Sequence, residues 1–153
     1  MEVFRLTRLK YSKSLSGNGV ALSGNRWNSK GVEMIYTSQS RALAMAEVLV
    51  HLPLHQLPSD FKMMCIKIPQ NISVETLATK DLPKLWNALP HHMSSQKIGD
   101  DFIMQNQSLV LKVPSAVVYG DFNYLINPYH ADYKSISIKS VDDFPIDQRL
   151  KSL

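Results

Sequence analysis

The sequence contains a single cysteine and no long apolar run. Cys65 cannot form a disulfide within the chain, and it lies in an apolar run typical of a buried strand, which suits a reducing compartment. No apolar run approaches the roughly 20 residues that a helix needs to cross a bilayer. The opening residues MEVFRLTRLKY alternate like a strand and lack the apolar core and cleavage site of a signal peptide. We therefore predict a cytoplasmic protein that makes no contact with a membrane.

Motifs for metal ions and for nucleotide phosphates are also missing. The histidines are not clustered at the spacing of a metal site, and one cysteine cannot supply a set of thiolates, so we expect no metal. The segments GNG and GNRWNSKG match neither the P-loop nor the dinucleotide-binding fingerprint. The sequence does not exclude a catalytic Ser-His-Asp triad, although Ser115 follows a proline and does not lie in a nucleophile elbow. The histidines are His51, His55, His91, His92 and His130.

The charge of the chain is positive but modest. The formal net charge is +4, and the basic residues are scattered along the sequence rather than arranged in a stripe. A nucleic-acid-binding surface or a ribonuclease groove would require clustered basic residues with exposed aromatic side chains. The charge is equally compatible with a small anionic substrate, with an acidic protein partner or with an ordinary surface.

The chain of 153 residues is 44% hydrophobic and 20% charged, which predicts one folded domain over residues 1–153 with a sizeable core. The order of apolar and alternating runs predicts an α+β fold, with a mixed or mostly antiparallel sheet as the core and flanking helices. Ser38 and Ser94 are the expected N-caps of two helices, and Ile98, Phe102 and Met104 are expected to face the core. The predicted strands are residues 3–9, 33–37, 61–68, 72–77, 109–113, 116–119, 123–126, 135–140 and 144–150, and the predicted helices are residues 38–51, 81–89 and 94–107.

We expect the rest of the chain to be organised around residues 24–51. Arg26 follows a glycine-rich loop, Tyr36 ends a short strand, and Glu47 lies in the helix predicted over residues 38–51. Glu47 has apolar neighbours and no cation four residues later to pair with. A carboxylate in such surroundings is unfavourable unless polar groups face it. We therefore predict a cleft in which Arg26 and Tyr36 lie opposite Glu47.

These three residue types suit the binding and cleavage of a nucleotide sugar. The planar guanidinium of Arg26 suits a phosphate or pyrophosphate, and Tyr36 offers a ring for stacking. Glu47 could bind ribose hydroxyls and stabilise positive charge at an anomeric carbon, as carboxylates do in glycoside cleavage. The pattern alone also allows a surface ion pair for Arg26, a core position for Tyr36 and a solvated helix position for Glu47.

The sequence resembles the RES-domain toxins of bacterial RES–Xre toxin–antitoxin pairs. The matching pieces follow one another along nearly the whole chain: VFRL, GNRWNSKG, EMIYTSQSRALAMAEVLVHL, SSQKIGD, LVLKVPSAVV, NYLINPYH and FPIDQRL. The arginine, glutamate and serine that give the family its name correspond to Arg26, Glu47 and Ser115. Asn25 replaces a second glycine that is usual before the arginine, and Asp101-Phe102 stands where the family commonly has a tryptophan.

The resemblance implies a fold similar to that of ADP-ribosyltransferase toxins and chemistry on NAD, which would be a substrate rather than a cofactor. Arg26 would hold the phosphates, Tyr36 would stack near the nicotinamide, Glu47 would stabilise an oxocarbenium-like transition state, and Ser115 would position ribose or nicotinamide. Glu47, Arg26 and Tyr36 would be the catalytic residues. Further residues implied to line the NAD pocket are Trp27, Asn28, Asn127 and His130.

The resemblance also implies a partner and leaves the acceptor open. The chain would be the toxin of a type II pair in the bacterial cytoplasm. An Xre-type helix-turn-helix antitoxin would cover its active site, and DNA would be contacted only through that antitoxin. A homodimer within a larger complex is compatible with this arrangement. ADP-ribose could pass to water or phosphate, which depletes NAD, or to a cellular protein. A module that binds the antitoxin without catalysis is the alternative from another class.

Overall fold

A seven-stranded mixed sheet forms the centre of the computed structural model, which describes residues 1–152. The strand order is β4-β5-β6-β2-β1-β3-β7, and every neighbouring pair is antiparallel except β4 and β5. The predicted α+β fold with a mixed sheet is therefore confirmed. The strands are β1 (Glu2–Arg8), β2 (Ile35–Ser38), β3 (Phe61–Lys67), β4 (Val74–Thr76), β5 (Val110–Pro114), β6 (Phe122–Ile126) and β7 (Ser137–Asp143).

Three α-helices accompany the sheet within residues 1–152: α1 (Asn18–Ala21), α2 (Arg41–Leu49) and α3 (Met93–Gln105). Helix α2 packs on β1, where Ala44 joins a buried apolar cluster with Phe4 and Leu6. Helix α3 packs on the half of the sheet that contains β5 and β6, where Phe102 joins a cluster with Leu125. No helix in the described residues is long and apolar enough to cross a membrane.

The first residue of α2 lies later than the sequence predicts. The N-cap is Ser40, whose side chain accepts a hydrogen bond from the Leu43 amide at 3.1 Å. The predicted cap, Ser38, is the last residue of β2 and pairs with Asn123 of β6. The prediction for Ser38 was wrong because the chain completes its pairing with β6 before it turns into the helix.

Helix α3 differs from the prediction in its N-cap residue and in one of the side chains that face the core. His92 is the N-cap in place of Ser94, and its Nδ1 accepts a hydrogen bond from the Ser94 amide at 3.2 Å. The helix ends at Gln105, and the following residue, Asn106, caps it in a left-handed conformation with φ 52°. Phe102 is buried as expected, whereas Met104 is 72% exposed. Met104 was therefore wrongly assigned to the core.

The helix predicted over residues 81–89 does not form. Trp86 packs against Trp27 with 6.0 Å between the ring centroids, but Leu89 is 74% exposed. The backbone carbonyls of Trp86 and Ala88 accept hydrogen bonds from the side chain of Arg26. This long-range contact holds the segment as a series of turns, and it follows from the tertiary structure rather than from the local sequence.

Two predicted strands are also absent. After β5, Ser115 accepts hydrogen bonds from the amides of Val117 and Val118, which turns residues 116–119 away from the sheet. Beyond β7, the Phe144 amide donates to the Phe61 carbonyl, and a short 3₁₀ helix then covers Gln148–Ser152. The predictions for residues 116–119 and 144–150 were therefore wrong.

Candidate functional site

A cavity of about 600 Å³ lies between β1, β2 and helix α2. Arg26, Tyr36 and Glu47 all line it, so the structure brings the three residues of the predicted cleft together. An apolar wall formed by Phe4 and Leu6 of β1, with parts of α2, completes one side. A cavity of this size is within the usual range for small-molecule sites.

The carboxylate of Glu47 is held by hydrogen bonds on one oxygen. Its Oε1 accepts from the Ser115 hydroxyl at 2.7 Å and from the Asn123 side-chain amide at 2.6 Å. Its Oε2 accepts no hydrogen bond from residues 1–152, and the half-buried side chain lines the cavity. The two donors therefore orient the group and leave one anionic oxygen for a ligand.

Ser115 lies directly after β5 and is only 6% exposed. Its Oγ accepts from the amides of Val117 and Val118, both at 3.0 Å. Because a hydroxyl has one proton, that proton is donated to Glu47. Ser115 does not line the cavity, so its contact is with the carboxylate rather than with a ligand.

Arg26 reaches the cavity with only part of its guanidinium bound. Its Nη1 donates to the Trp86 carbonyl at 2.7 Å and to the Ala88 carbonyl at 3.1 Å. The other guanidinium nitrogens make no hydrogen bond within residues 1–152. Desolvation lowers the pKa of Arg26, and the nearby Glu47 and Tyr36 act in the opposite direction. The group stays charged at neutral pH, with donors free for an anion.

The hydroxyl of Tyr36 is fully used inside the protein. It accepts from the Trp27 amide at 3.0 Å and donates to the Asn28 side-chain oxygen at 2.7 Å. Burial raises the pKa of this hydroxyl far above its ordinary value, so it stays protonated. Tyr36 can therefore contact a ligand in the cavity only through its ring.

Trp27 and Asn28 support the loop that carries Arg26. Trp27 is 2% exposed, stacks on Trp86 and contributes to the cavity wall. Asn28 is completely buried, does not line the cavity, and donates from its side chain to the carbonyls of Val20 and Val32 at 3.2 and 2.9 Å. The loop is thereby fixed from inside, and Asn28 is not placed to contact a ligand.

The structure does not bring Asn127 and His130 to the cavity. Both follow the end of β6 that is remote from Glu47. Asn127 is completely buried and donates to the Asn106 side-chain oxygen at 2.8 Å. His130 accepts from the Asp132 amide at 3.1 Å and thereby caps a short 3₁₀ helix. Their geometry gives no support to a role in binding substrate.

The sequence reading missed three residues of the site: Asn123, His51 and His91 all line the cavity. Asn123 carries a detectable signal, because it is a polar residue on the same face of β6 as the buried Leu125. The Nδ1 of His91 is buried and has no hydrogen-bond partner in residues 1–152. Desolvation lowers the pKa of His91, and the charges of Arg26 and His51 lower it further.

The lowered pKa of His91 predicts a pH-dependent stability. The unfolded chain binds a proton at this residue at a higher pH than the folded chain, so folding stability is present above about pH 6.5 and falls as the pH decreases below it. We expect His91→Gln to lose less thermal stability than the wild type between about pH 7 and pH 5.5. Thermal melts across this range measure the difference.

The control for this experiment is His55→Gln, which replaces an exposed histidine outside the cavity. This variant should follow the wild-type melting temperature at each pH. Parallel curves for His91→Gln and the wild type would show that His91 is not the group responsible.

No group of three or more histidine, cysteine, aspartate or glutamate residues suited to a metal ion is present in the described part of the chain.

A family model described as RES domain matches residues 2–147. The chain belongs to the RES-domain family. Within this RES domain, the arginine, glutamate and serine identified from the sequence form one connected site, in which Ser115 contacts Glu47 and Arg26 lines the same cavity.

Several relatives share nearly the full length of this RES domain. It is 39% identical over 152 residues to Toxin Res of Photorhabdus laumondii, which covers 98% of this chain and 97% of the relative. It is 36% identical over 138 residues to the Prs ADP-ribosylating toxin of a Sphingobium species, covering 89% and 86% of the two chains. Toxin Res of Yersinia enterocolitica is 34% identical over 154 residues, covering 99% and 100%.

A solved structure has the same fold. A chain in the crystal structure of the MbcT–MbcA toxin–antitoxin complex of M. tuberculosis superposes with a TM-score of 0.78. The match covers 99% of this RES domain and 89% of the other chain, with 17% sequence identity. At this identity the comparison establishes the architecture only.

Proposed function

We propose that this RES domain is a toxin that cleaves NAD at the bond between nicotinamide and ribose. The observation that carries the proposal is the arrangement of Glu47. Two donors hold one of its oxygens, and the other is left for the cavity that Arg26 also lines. This arrangement suits a substrate with negative phosphates at one end and a reacting centre that becomes positive at the other.

Arg26 would bind the pyrophosphate of NAD. Its Nη1 is anchored on the two backbone carbonyls of Trp86 and Ala88, which fixes the plane of the guanidinium. The remaining donors can then meet phosphate oxygens without a large loss of side-chain freedom. Because the contact exists before and during the reaction, it contributes mainly to substrate binding.

Glu47 would stabilise the transition state. As the bond between C1′ of the ribose and the nicotinamide nitrogen breaks, the electron pair leaves with nicotinamide and the ribose becomes oxocarbenium-like. An acceptor oxygen then bonds to C1′ and loses its proton. The free oxygen of Glu47 supplies a fixed negative charge for the positive ribose, and the apolar wall around it strengthens the attraction.

Two further residues would shape the substrate pocket. Tyr36 lines the same cavity as the apolar side chains Phe4 and Leu6, and these together would suit a flat aromatic ring such as nicotinamide. Ser115 would act through Glu47, because its hydroxyl is directed to the carboxylate and not to the cavity. NAD is then the substrate, and no further cofactor is required.

In the first form of the proposal, ADP-ribose passes to a small acceptor, water or phosphate. This reaction would deplete NAD. Transfer of ADP-ribose to a cellular protein is the second form. The observation that favours the second is the 36% identity to a relative named Prs ADP-ribosylating toxin. A module without catalysis has less support, because Arg26, Tyr36 and Glu47 are intact and share one cavity.

We further propose that an antitoxin covers this cavity in the resting bacterial cytoplasm. The fold relative in M. tuberculosis was crystallised as a toxin–antitoxin complex. At the cavity, Leu89 and Val50 are 74% and 57% exposed beside the charged Arg26. An acidic or apolar segment of an Xre-type helix-turn-helix antitoxin would complement that rim. Contact with DNA would then run through the antitoxin, and a homodimer of the toxin is compatible with this arrangement.

Expression of the chain without a partner tests the proposed function in cells. We expect growth arrest together with a fall in cellular NAD, because an uncovered site would consume the nucleotide. The matched control is Glu47→Gln, which should cause neither effect while accumulating as folded protein. Growth arrest at normal NAD would favour modification of a protein, and continued growth with folded wild-type protein would favour the module without catalysis.

A further inference from the structure

Asn123 lies on β6 between two strands that carry other parts of the site. It pairs with Val113 of β5 on one side and with Ser38 of β2 on the other. Its side chain is 9% exposed and shares the inner face of β6 with the buried Leu125. A polar amide in such a position is unfavourable unless its donor and acceptor are both satisfied.

Both polar atoms of the Asn123 side-chain amide are hydrogen-bonded, and the bonds fit only one of the two possible orientations of the amide. The Ser38 hydroxyl donates to Oδ1 at 2.7 Å, and Nδ2 donates to Oε1 of Glu47 at 2.6 Å. The reversed orientation would place Oδ1 against the carboxylate, so that two acceptors would face each other. The carboxylate therefore fixes which way the amide points, and Ser38 supports that orientation.

We infer that Asn123 is a positioning residue for the reaction, one that holds Glu47 in the orientation needed for catalysis. Together with Ser115 it occupies Oε1, so the orientation of the carboxylate is restrained, while Oε2 has no hydrogen-bond partner within residues 1–152. Glu47 itself lines the cavity. A hydrogen bond from Ser115 alone would still allow the carboxylate to rotate about that bond. The inference rests on the proposed function, because Glu47 is assigned there to the transition state.

The role of Asn123 predicts an effect on kcat rather than on substrate binding. In Asn123→Ala the carboxylate keeps its charge but loses one of its two restraints. We expect kcat for NAD cleavage to fall about ten- to a hundredfold, because small misplacements of a reacting group have effects of this size. KM should change by less than about threefold, because Arg26 and its anchors are untouched.

A double-mutant cycle with Glu47→Gln distinguishes positioning from a general structural effect. If Asn123 acts through the Glu47 charge, Asn123→Ala should lower kcat in the wild-type background and have little further effect in the Glu47→Gln background. Equal fold losses in both backgrounds, or no loss in the first, would overturn the inference. Nicotinamide release is the measured quantity.

Two further variants guard against a fold defect. Asn123→Leu keeps the branched shape of the side chain without a donor, and it should reproduce the kcat loss if Asn123→Ala melts too early to assay. Ser95→Ala removes another buried hydroxyl, one that donates to the His92 carbonyl at 2.8 Å and does not line the cavity. It should lower the melting temperature and leave kcat unchanged. A matching kcat loss in Ser95→Ala would contradict a specific role for Asn123.

The same variants scored for growth arrest separate this inference from the proposed function. A wild-type chain that arrests growth without releasing nicotinamide would overturn NAD cleavage. The cycle scored on growth arrest would then still decide whether Asn123 acts through Glu47. A wild-type chain that neither releases nicotinamide nor arrests growth would overturn both proposals.

Discussion

Glu47→Gln lowers kcat for NAD cleavage by about a hundredfold or more, in the range found when preorganised electrostatic groups are removed. The glutamine carbonyl can still accept from Ser115 and Asn123, which occupy Oε1 in the wild type. Its NH₂ group then takes the place of Oε2, so a neutral hydrogen-bond donor replaces part of a negatively charged group that lines the cavity. The shape of the site is kept and its attraction for a positive ribose is lost.

Arg26→Ala is the matched comparison in the same assay. Losing a charged hydrogen bond weakens binding by about 1.5–3 kcal/mol, so KM should rise roughly ten- to a hundredfold with a smaller change in kcat. Glu47→Gln should melt near the wild type, because it removes no core volume. Arg26→Ala also loses the hydrogen bonds to the Trp86 and Ala88 carbonyls, so it should melt at a lower temperature while remaining folded. Near-native kcat in Glu47→Gln would show that Glu47 is not the catalytic carboxylate.

Gly99→Ala destabilises the fold by on the order of 3 kcal/mol, because a methyl group has no room at this position. Gly99 is buried where α3 crosses the loop that carries Arg26. A Cβ there would overlap the Trp27 carbonyl oxygen and lie 2.7 Å from the Trp27 carbonyl carbon. The overlap is with backbone, so the helix or the loop must shift. Thermal melts should show a decrease of about 6–12 °C for a chain of this length.

Gly19→Ala is the control for the Gly99 experiment. Gly19 lies in α1, and a Cβ built there meets nothing within 4 Å. Alanine also favours the helix and restricts the unfolded chain, so this variant should melt at or slightly above the wild-type temperature. An unchanged melting temperature for Gly99→Ala would contradict the close approach of α3 to Trp27.

The local sequence predicts those parts of the site that depend on short spans of chain. The glycine loop before Arg26, the strand ending near Tyr36 and the helix with Glu47 among apolar neighbours all follow from patterns of a few residues. The alternation along β1 and β3 likewise predicts the strands that support the cavity. Cap positions were displaced because strand pairing decides where the helix begins.

The parts that escaped prediction depend on contacts between distant residues. Glu47 meets Asn123 across 76 positions of sequence and Ser115 across 68. The register that places Ser38 beside Asn123 is a property of the assembled sheet. Likewise, Arg26 binds carbonyls about 60 residues away, which replaces the helix expected over residues 81–89 with turns. Local propensity contains no information about such partners.

Release of nicotinamide from NAD by the purified chain is the most direct test of the account. The wild-type RES domain, incubated with NAD in water and then with added phosphate, should release nicotinamide together with an equal amount of ADP-ribose product. Glu47→Gln at the same concentration should release about a hundredfold less per unit time. Intact NAD after prolonged incubation with folded wild-type protein, under both conditions, would contradict the central claim.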